Sequence, residues 1–433
     1  MTAQTLSYRL APWNVTRVVI WSLFALALLL APLVFRTSLA LTMLSQIGYL
    51  IIICLSYNML LGQGGMLSFG HAVYTGMGSF IAIHTMNLAA KGSLPVPLVL
   101  IPLVGGLGGM FFAMLFGYVT TKKAGTTFAM ITLGIGELVA SMALMFPTFF
   151  GGEGGITTNR VYGTPLLGLS FGPQIQVYYL IAVYCFISTA LMYAFTGTPL
   201  GRMLNAVRDN PERVEFIGYN TQRVRYFSFI VAGFFAGIGG GLAAINFEIV
   251  NAADSLSGLR SGAYLLFTFL GGATFFFGPI IGAILLVFAS VLLSELSKAW
   301  LLYLGLVFLF MVMFAPGGVA SLIMMNVRVA RFGRFKPFWP LYAGFIVTGA
   351  LLVAGLAAIV EMIYHMQLNA ALGPNLNFFG LTLDTSGMAS WLGAAALAVV
   401  GGALLEAVRR RFVRAWSHAQ EQIEADIKRR ETA

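Results

Sequence analysis

Residues Leu39–His71 read LALTMLSQIGYLIIICLSYNMLLGQGGMLSFGH. The first two thirds carry no charge and are long enough to cross a bilayer, which takes about 20 apolar residues as a helix. They show none of the in/out alternation of a lipid-facing barrel strand, so a helix is the spanning form. The run then stops in Gly62, Gly64, Gly65 and Gly70, interleaved with Gln63, Ser68 and His71. Glycine at this density disfavours helix, and so many polar groups exceed the needs of a tight turn. The segment reads as a broken-helix element whose free backbone faces a cavity.

The pattern extends outward over the whole chain. Apolar runs with at most one charged residue each fall at about 18–35, 39–61, 72–90, 94–119, 126–149, 177–196, 227–247, 261–277, 279–297, 299–318, 341–360 and 388–407. The expected fold class is all-α, a polytopic integral membrane protein of about 12 transmembrane helices with glycine-rich interruptions. Composition agrees, since 59% of the 433 residues are hydrophobic and 9% charged, against roughly 25% charged in a soluble domain. The closely spaced runs between 261 and 318 leave room for a re-entrant segment, and Gly271-Gly272-Ala273-Thr274 with Phe277-Gly278-Pro279 marks a second interruption.

Alternating the runs from a cytosolic N-terminus puts every Lys and Arg on the inner side except Arg36, Lys91, Arg160, Arg260 and Lys298. Both termini are therefore cytosolic. The net charge of +10 follows from topology and calls for no nucleic acid. The first run is read as a retained span rather than a signal peptide. Cys54 and Cys185 lie within runs, and no disulfide is expected.

The sequence has no Gly-Lys pair for a phosphate-binding loop, no HExxH and no GxSxG, and its histidines, His71, His84, His365 and His418, are scattered. Catalysis, a metal and a cofactor are not expected. Glu137 stands near the middle of its run, where a carboxylate is costly. It is either a structural pin, with Gln46, Asn58, His84 and Asn246 as candidate contacts, or a pathway or gating residue. Asn58, Gln63, Ser68 and His71 join Glu137 as candidate pathway residues.

The most charged segment between runs is the inner loop at about 197–226. Within it, Asp209 or Asn210 can cap a short helix that starts at Pro211, carries Glu212 and Glu215 in its first turns and closes at Gly218. Val214, Phe216 and Ile217 oppose Arg213, as in a helix that sits in a partner's groove. Beyond Glu406, the apolar residues Val408, Phe412, Trp416, Ala419, Ile423 and Ile427 recur at steps of three and four. That spacing predicts an amphipathic cytosolic tail along the membrane surface, with Arg409, Arg410, Arg411 and Arg414 at the lipid headgroups.

Several of these stretches resemble the branched-chain amino acid ABC transporter permeases of the M-type (LivM-type) subunit family. They are Asn58 to Gly62 with Gly65 to His71, Thr132 to Glu137, Gly152 to Ile156, the loop from Gly201-Arg202 through Ala206-Val207-Arg208-Asp209-Asn210 to Gly218-Tyr219-Asn220, Gly271-Gly272 to Gly278-Pro279, and Phe314 to Gly318. They occur in the family's order over about residues 40–322. The resemblance implies a permease domain over 1–322 and makes Gly201, Arg202, Asn205, Arg208, Asp209, Asn210, Glu212, Arg213 and Gly218 the ATPase-coupling loop. Glu212 to Gly218 keeps the Glu-to-Gly interval of the EAA-type loop, with Arg213 and Val214 in place of its alanines. The extension 323–433, with two further expected spans, lies outside the family pattern.

The resemblance further implies a second (H-type) permease subunit, two cytosolic ATPase subunits and a periplasmic substrate-binding protein as partners, besides membrane lipid. The site of action would be the bacterial inner membrane, and the cargo branched-chain amino acids or a related small polar solute such as urea or an amide. An ion-coupled secondary transporter is the alternative.

Overall fold

A computed structural model of the chain describes residues 15–162, 170–297, 299–333, 335–368, 373–378 and 381–432. Arg9, Lys298 and Arg334 of the charge pattern lie outside the described residues, as do the side chains of Lys336, Ile427, Lys428, Arg429 and Arg430. The chain divides into two compact units after Phe288.

The first unit begins with α1 (Val15–Val34), α2 (Ser38–Leu61), α3 (His71–Ala90), α4 (Ile101–Thr120), α5 (Gly125–Met145) and the single turn α6 (Pro147–Phe150). Strand β1 (Ile156–Thr157), α7 (Gln174–Gly197), α8 (Pro199–Asp209), α9 (Pro211–Phe216) and α10 (Thr221–Phe247) follow. It closes with β2 (Ile249–Val250), the single turn α11 (Ala252–Ser255), α12 (Gly258–Gly271) and α13 (Gly278–Val287). Its core lies where α10 meets α2, α3 and α4, and glycine brings the backbones together. A Cβ on Gly78 would stand 2.6 Å from Cα of Gly237, and one on Gly109 would stand 2.8 Å from the same atom. Small residues four apart, Gly105 with Gly109 and Gly233 with Gly237 and Gly241, form the facing stripes that membrane helices use for close approach.

At the far end of α10, Glu248 adopts a left-handed conformation with φ 55°. Its carboxylate accepts from the Arg160 backbone N–H at 2.7 Å. The turn lets β2 pair antiparallel with β1, Ile156 opposite Val250. The segment after Gly152 to Ile156 is thereby tied to the end of a buried helix.

The second unit holds α14 (Ser294–Leu296), α15 (Trp300–Phe314), α16 (Gly318–Arg331), α17 (Trp339–Leu368), the hairpin β3 (Asn375–Phe378) and β4 (Leu381–Asp384), and α18 (Met388–Thr432). The tail is helical as its spacing predicts, but it is a continuation of the last span rather than a separate surface helix. Its apolar stripe is covered by the chain itself. Ala419 and Ile423 are buried with Val329 and Phe338, and Phe412 and Trp416 stack against each other and meet Phe338 edge-on.

Among the described residues, eight helices are long and apolar enough to cross a membrane, or nine if α15 and α16, bent by 48°, form one span. The shortfall against the twelve apolar runs falls on α3, which carries Thr75, Ser79, His84, Thr85 and Asn87, on the 14-residue α12, and on the stretch from α13 to Leu293.

Candidate functional site

The inner loop folds as two helices. Thr198 caps α8 by accepting from the Gly201 N–H at 3.1 Å, and Asn210 caps α9 by accepting from the Arg213 N–H at 3.0 Å. The capping residue and limits of α9 match the sequence expectation, including Gly218 at φ 90° just beyond its end. The sequence reading places one short helix in this loop, and the structure adds a second ahead of it over Pro199–Asp209. Val214 is buried, whereas Phe216 is 88% exposed and Ile217 66% exposed. Arg202, Asp209, Glu212 and Arg213 are exposed and Asn205 and Asn210 half-buried, while Gly201 packs against the end of α7 at Phe195.

Arg208 behaves differently from its neighbours. Its guanidinium pairs with Asp209 and also donates to the carbonyl oxygen of Gly62. Its stem crosses Gly65, where φ is +63° and a Cβ would stand 2.9 Å from Cγ of Arg208. A glycine is required there on both counts, conformation and space. The coupling-loop candidates and the broken element thus meet at one residue.

Between α2 and α3 the chain is non-helical from Gly62 to Gly70 and held from all sides. The Tyr57 hydroxyl donates to the Ser68 carbonyl at 2.8 Å, the Phe69 N–H to Thr132 Oγ1 at 3.1 Å, and the Ala72 N–H to Ser261 Oγ at 3.0 Å. Gly62 also abuts the carbonyl of Ala273, so the two glycine-rich interruptions predicted from sequence lie against each other. Four polar side chains here are buried with an atom lacking a hydrogen-bond partner: Asn58 Oδ1, Gln63 Oε1, Ser68 Oγ and His71 Nδ1. His71 Nε2 lies 2.9 Å from Ser56 Oγ, whose own proton goes to the Ile53 carbonyl at 2.7 Å. Nε2 is therefore the donor and Nδ1 the bare acceptor.

Glu137 sits near the middle of α5, exposed in this chain beside Leu133, Gly134 and Leu138. Its Oε1 lies 3.0 Å from where a Cβ on Gly258 would be. The contacts considered for a structural pin do not form. His84 bonds the Phe149 carbonyl, Asn246 accepts from Gln174, and no hydrogen bond joins Glu137 to another described residue. The pin reading is corrected to that extent.

Sequence reasoning passed over a further feature. A cavity of about 250 Å³ opens between α2, α3, α10 and the α11–α12 junction, and Arg260 and Asp254 pair at its wall. A signal existed in the sequence: these are oppositely charged residues six apart amid apolar and glycine-rich chain.

The model of the family described as branched-chain amino acid transport system / permease component matches residues 39–316. The high-affinity branched-chain amino acid transport system permease protein LivM of Escherichia coli K12 is 25% identical over 303 residues, covering 64% of this chain and 69% of that protein. Its Salmonella typhimurium LT2 counterpart is 24% identical over the same shares. The guanosine ABC transporter permease protein NupQ of Bacillus subtilis 168 is 28% identical over 140 residues, 29% of this chain and 43% of that protein. No solved structure matches. With the family model spanning both interruptions, the inner loop and α5, the chain belongs to the branched-chain amino acid permease family and is a multi-pass ABC importer permease subunit of the LivM type.

Proposed function

We propose that the chain imports branched-chain amino acids, or a related small polar solute such as urea or an amide, across a bacterial inner membrane. A second, H-type permease subunit, two cytosolic ATPases and a periplasmic binding protein complete the transporter, and ATP is hydrolysed on the ATPases. Residues 1–322 serve as the permease domain, and the extension 323–433 stabilises assembly.

The observation that carries the reading is α9, a capped helix with one apolar side chain buried and two exposed. Exposed Phe216 and Ile217 suit a groove on an ATPase, with Arg202, Asp209, Glu212 and Arg213 around them. Closure of the ATPase pair would move α8 and α9 together. Arg208 would pass that motion to Gly62 and, through the facing carbonyl of Ala273, to the α12–α13 turn. Asn58, Gln63, Ser68 and His71 would then line or gate the route, with Glu137 on the side turned to the second permease. A buried polar atom without a partner costs about 1–3 kcal/mol, a cost that a changing set of partners during transport would offset.

The test is uptake of labelled leucine by liposomes holding the assembled transporter. Uptake should require internal ATP and external binding protein. Uptake driven by an ion gradient without ATP would overturn the assignment.

A further inference from the structure

The pair Asp254–Arg260 occupies an unusual place for two charges. Helix α12 has 14 residues, roughly 21 Å of rise, short of the ~30 Å hydrocarbon core. Its first turn carries Arg260 and lies beside Glu137, near the middle of α5. The same cavity is lined by Tyr49 and Ile53 from the middle of α2. Between α10 and α12 the chain is largely irregular, with only the short β2 and the turn α11. Irregular backbone and charge at this depth are tolerated where they border a cavity rather than lipid.

The pair is not closed on itself. Arg260 is 35% and Asp254 63% exposed at the side chain, and one guanidinium nitrogen meets one carboxylate oxygen. Arg260 Nε and Nη1 and Asp254 Oδ1 have no hydrogen-bond partner among the described residues. A cation and an anion with spare bonding capacity therefore stand side by side, while Ile53 and Val250 supply apolar wall. The volume of about 250 Å³ lies below the range of roughly 300–1,000 Å³ usual for drug-sized ligands.

We propose that this cavity is a solute-binding station within the subunit, in which Arg260 takes the carboxylate and Asp254 the ammonium group of a small zwitterion with an apolar side chain. The proposal rests on the reading of the chain as an amino acid permease and adds that the permease itself reads charge. Neutral cargo, such as a nucleoside or an amide, would displace water from the spare bonding positions of both charges without replacing it by an opposite charge, and so bind poorly.

The experiment measures binding to the purified transporter, this full chain assembled with its partner subunits but without the binding protein. The probes are L-leucine, leucinamide, 4-methylpentanoate and guanosine. Wild type should bind leucine saturably and each other probe about tenfold or more weakly, as expected when a charge-assisted pairing is lost. Arg260→Gln should weaken leucine about tenfold and erase its advantage over leucinamide. Asp254→Asn should erase the advantage over 4-methylpentanoate. Ala243→Phe fills the cavity, leaves both charges in place, and should abolish binding of leucine.

Each variant's ratio between probes is internal to one preparation, so loss of folded protein does not mimic it. Loss of all probes alike in Arg260→Gln and Asp254→Asn, or wild-type binding of leucine in both, overturns the proposal. So does preference of the wild type for guanosine, or its failure to bind leucine. Leucine import by the same complex, supplied with ATP and binding protein, reports separately whether the permease reading stands.

Discussion

The Arg208 guanidinium donates to the carbonyl oxygen of Gly62, joining the short helix α8 to the backbone of a break inside the helical bundle. Hydrogen bonds from a charged donor contribute about 1.5–3 kcal/mol. Arg208→Gln should therefore lower leucine uptake by about tenfold while ATPase subunits still copurify. Gly65→Ala, which displaces the same arginine stem, should reproduce the defect. Uptake at the wild-type rate in both variants would remove Arg208 from the transmission route.

At the tip of the loop between α7 and α10, Phe216→Ser should leave the chain folded, because the side chain packs against little of this chain. Copurification of ATPase subunits should fall. Val214→Pro disrupts α9, where proline costs about 3 kcal/mol, and should abolish transport and substrate-stimulated ATP hydrolysis. Normal uptake by the proline variant would sink the coupling assignment.

For Glu137, exposure without a hydrogen bond predicts that Glu137→Ala changes the melting of the detergent-solubilised chain by less than about 0.5 kcal/mol. Glu137→Gln should keep the fold yet alter the transport rate or its pH profile. A destabilised alanine variant beside a glutamine variant with unchanged uptake at every pH would return Glu137 to a structural role.

The glycine stripe gives a stability prediction. Gly237→Ala places a Cβ against backbone of Gly105 and Gly106 rather than against a yielding side chain, and overpacking of this kind costs about 1–3 kcal/mol. Gly134→Ala, with nothing within 4 Å of its Cβ position, is the matched control. Equal melting temperatures for the two would contradict the packing described.

Ending the chain after Asn326 removes Val329, Phe338, Ala419 and Ile423, a cluster belonging to the second unit. The truncated chain should still insert and retain some uptake. Complete failure of insertion, measured by membrane fractionation, would make the extension part of the permease core.

What the sequence revealed was local chemistry, and what it concealed was depth. Glycine density at Gly62 to Gly70 and the cap at Asn210 were legible because each follows from backbone preferences of a few residues. The exposure of Glu137 was not, since hydropathy reports a residue's distance along a run but not which way its helix is turned. Arg260 illustrates the same limit: alternation of runs assigns it to the outer surface, yet α12 is too short to span and its arginine faces a cavity lined from mid-helix. The tail's spacing revealed an apolar stripe, but its cover, Val329 and Phe338, lies some ninety residues earlier in the chain.

Where Gly78, Gly105 and Gly237 converge, no side chains interdigitate, and the helices touch along smooth backbone. Ridges locked into grooves resist translation, because each step forces rotamers to change. The smooth stretch offers no such lock, so what holds α10 in register along α3 and α4 lies to either side of it, in the Ser79 hydroxyl's bond to the Gly240 carbonyl and the Tyr226 hydroxyl's bond to the Met114 carbonyl. Closeness and register are thus set by different residues: glycines fix how near the helices lie, and flanking hydroxyls fix where along each other they stop.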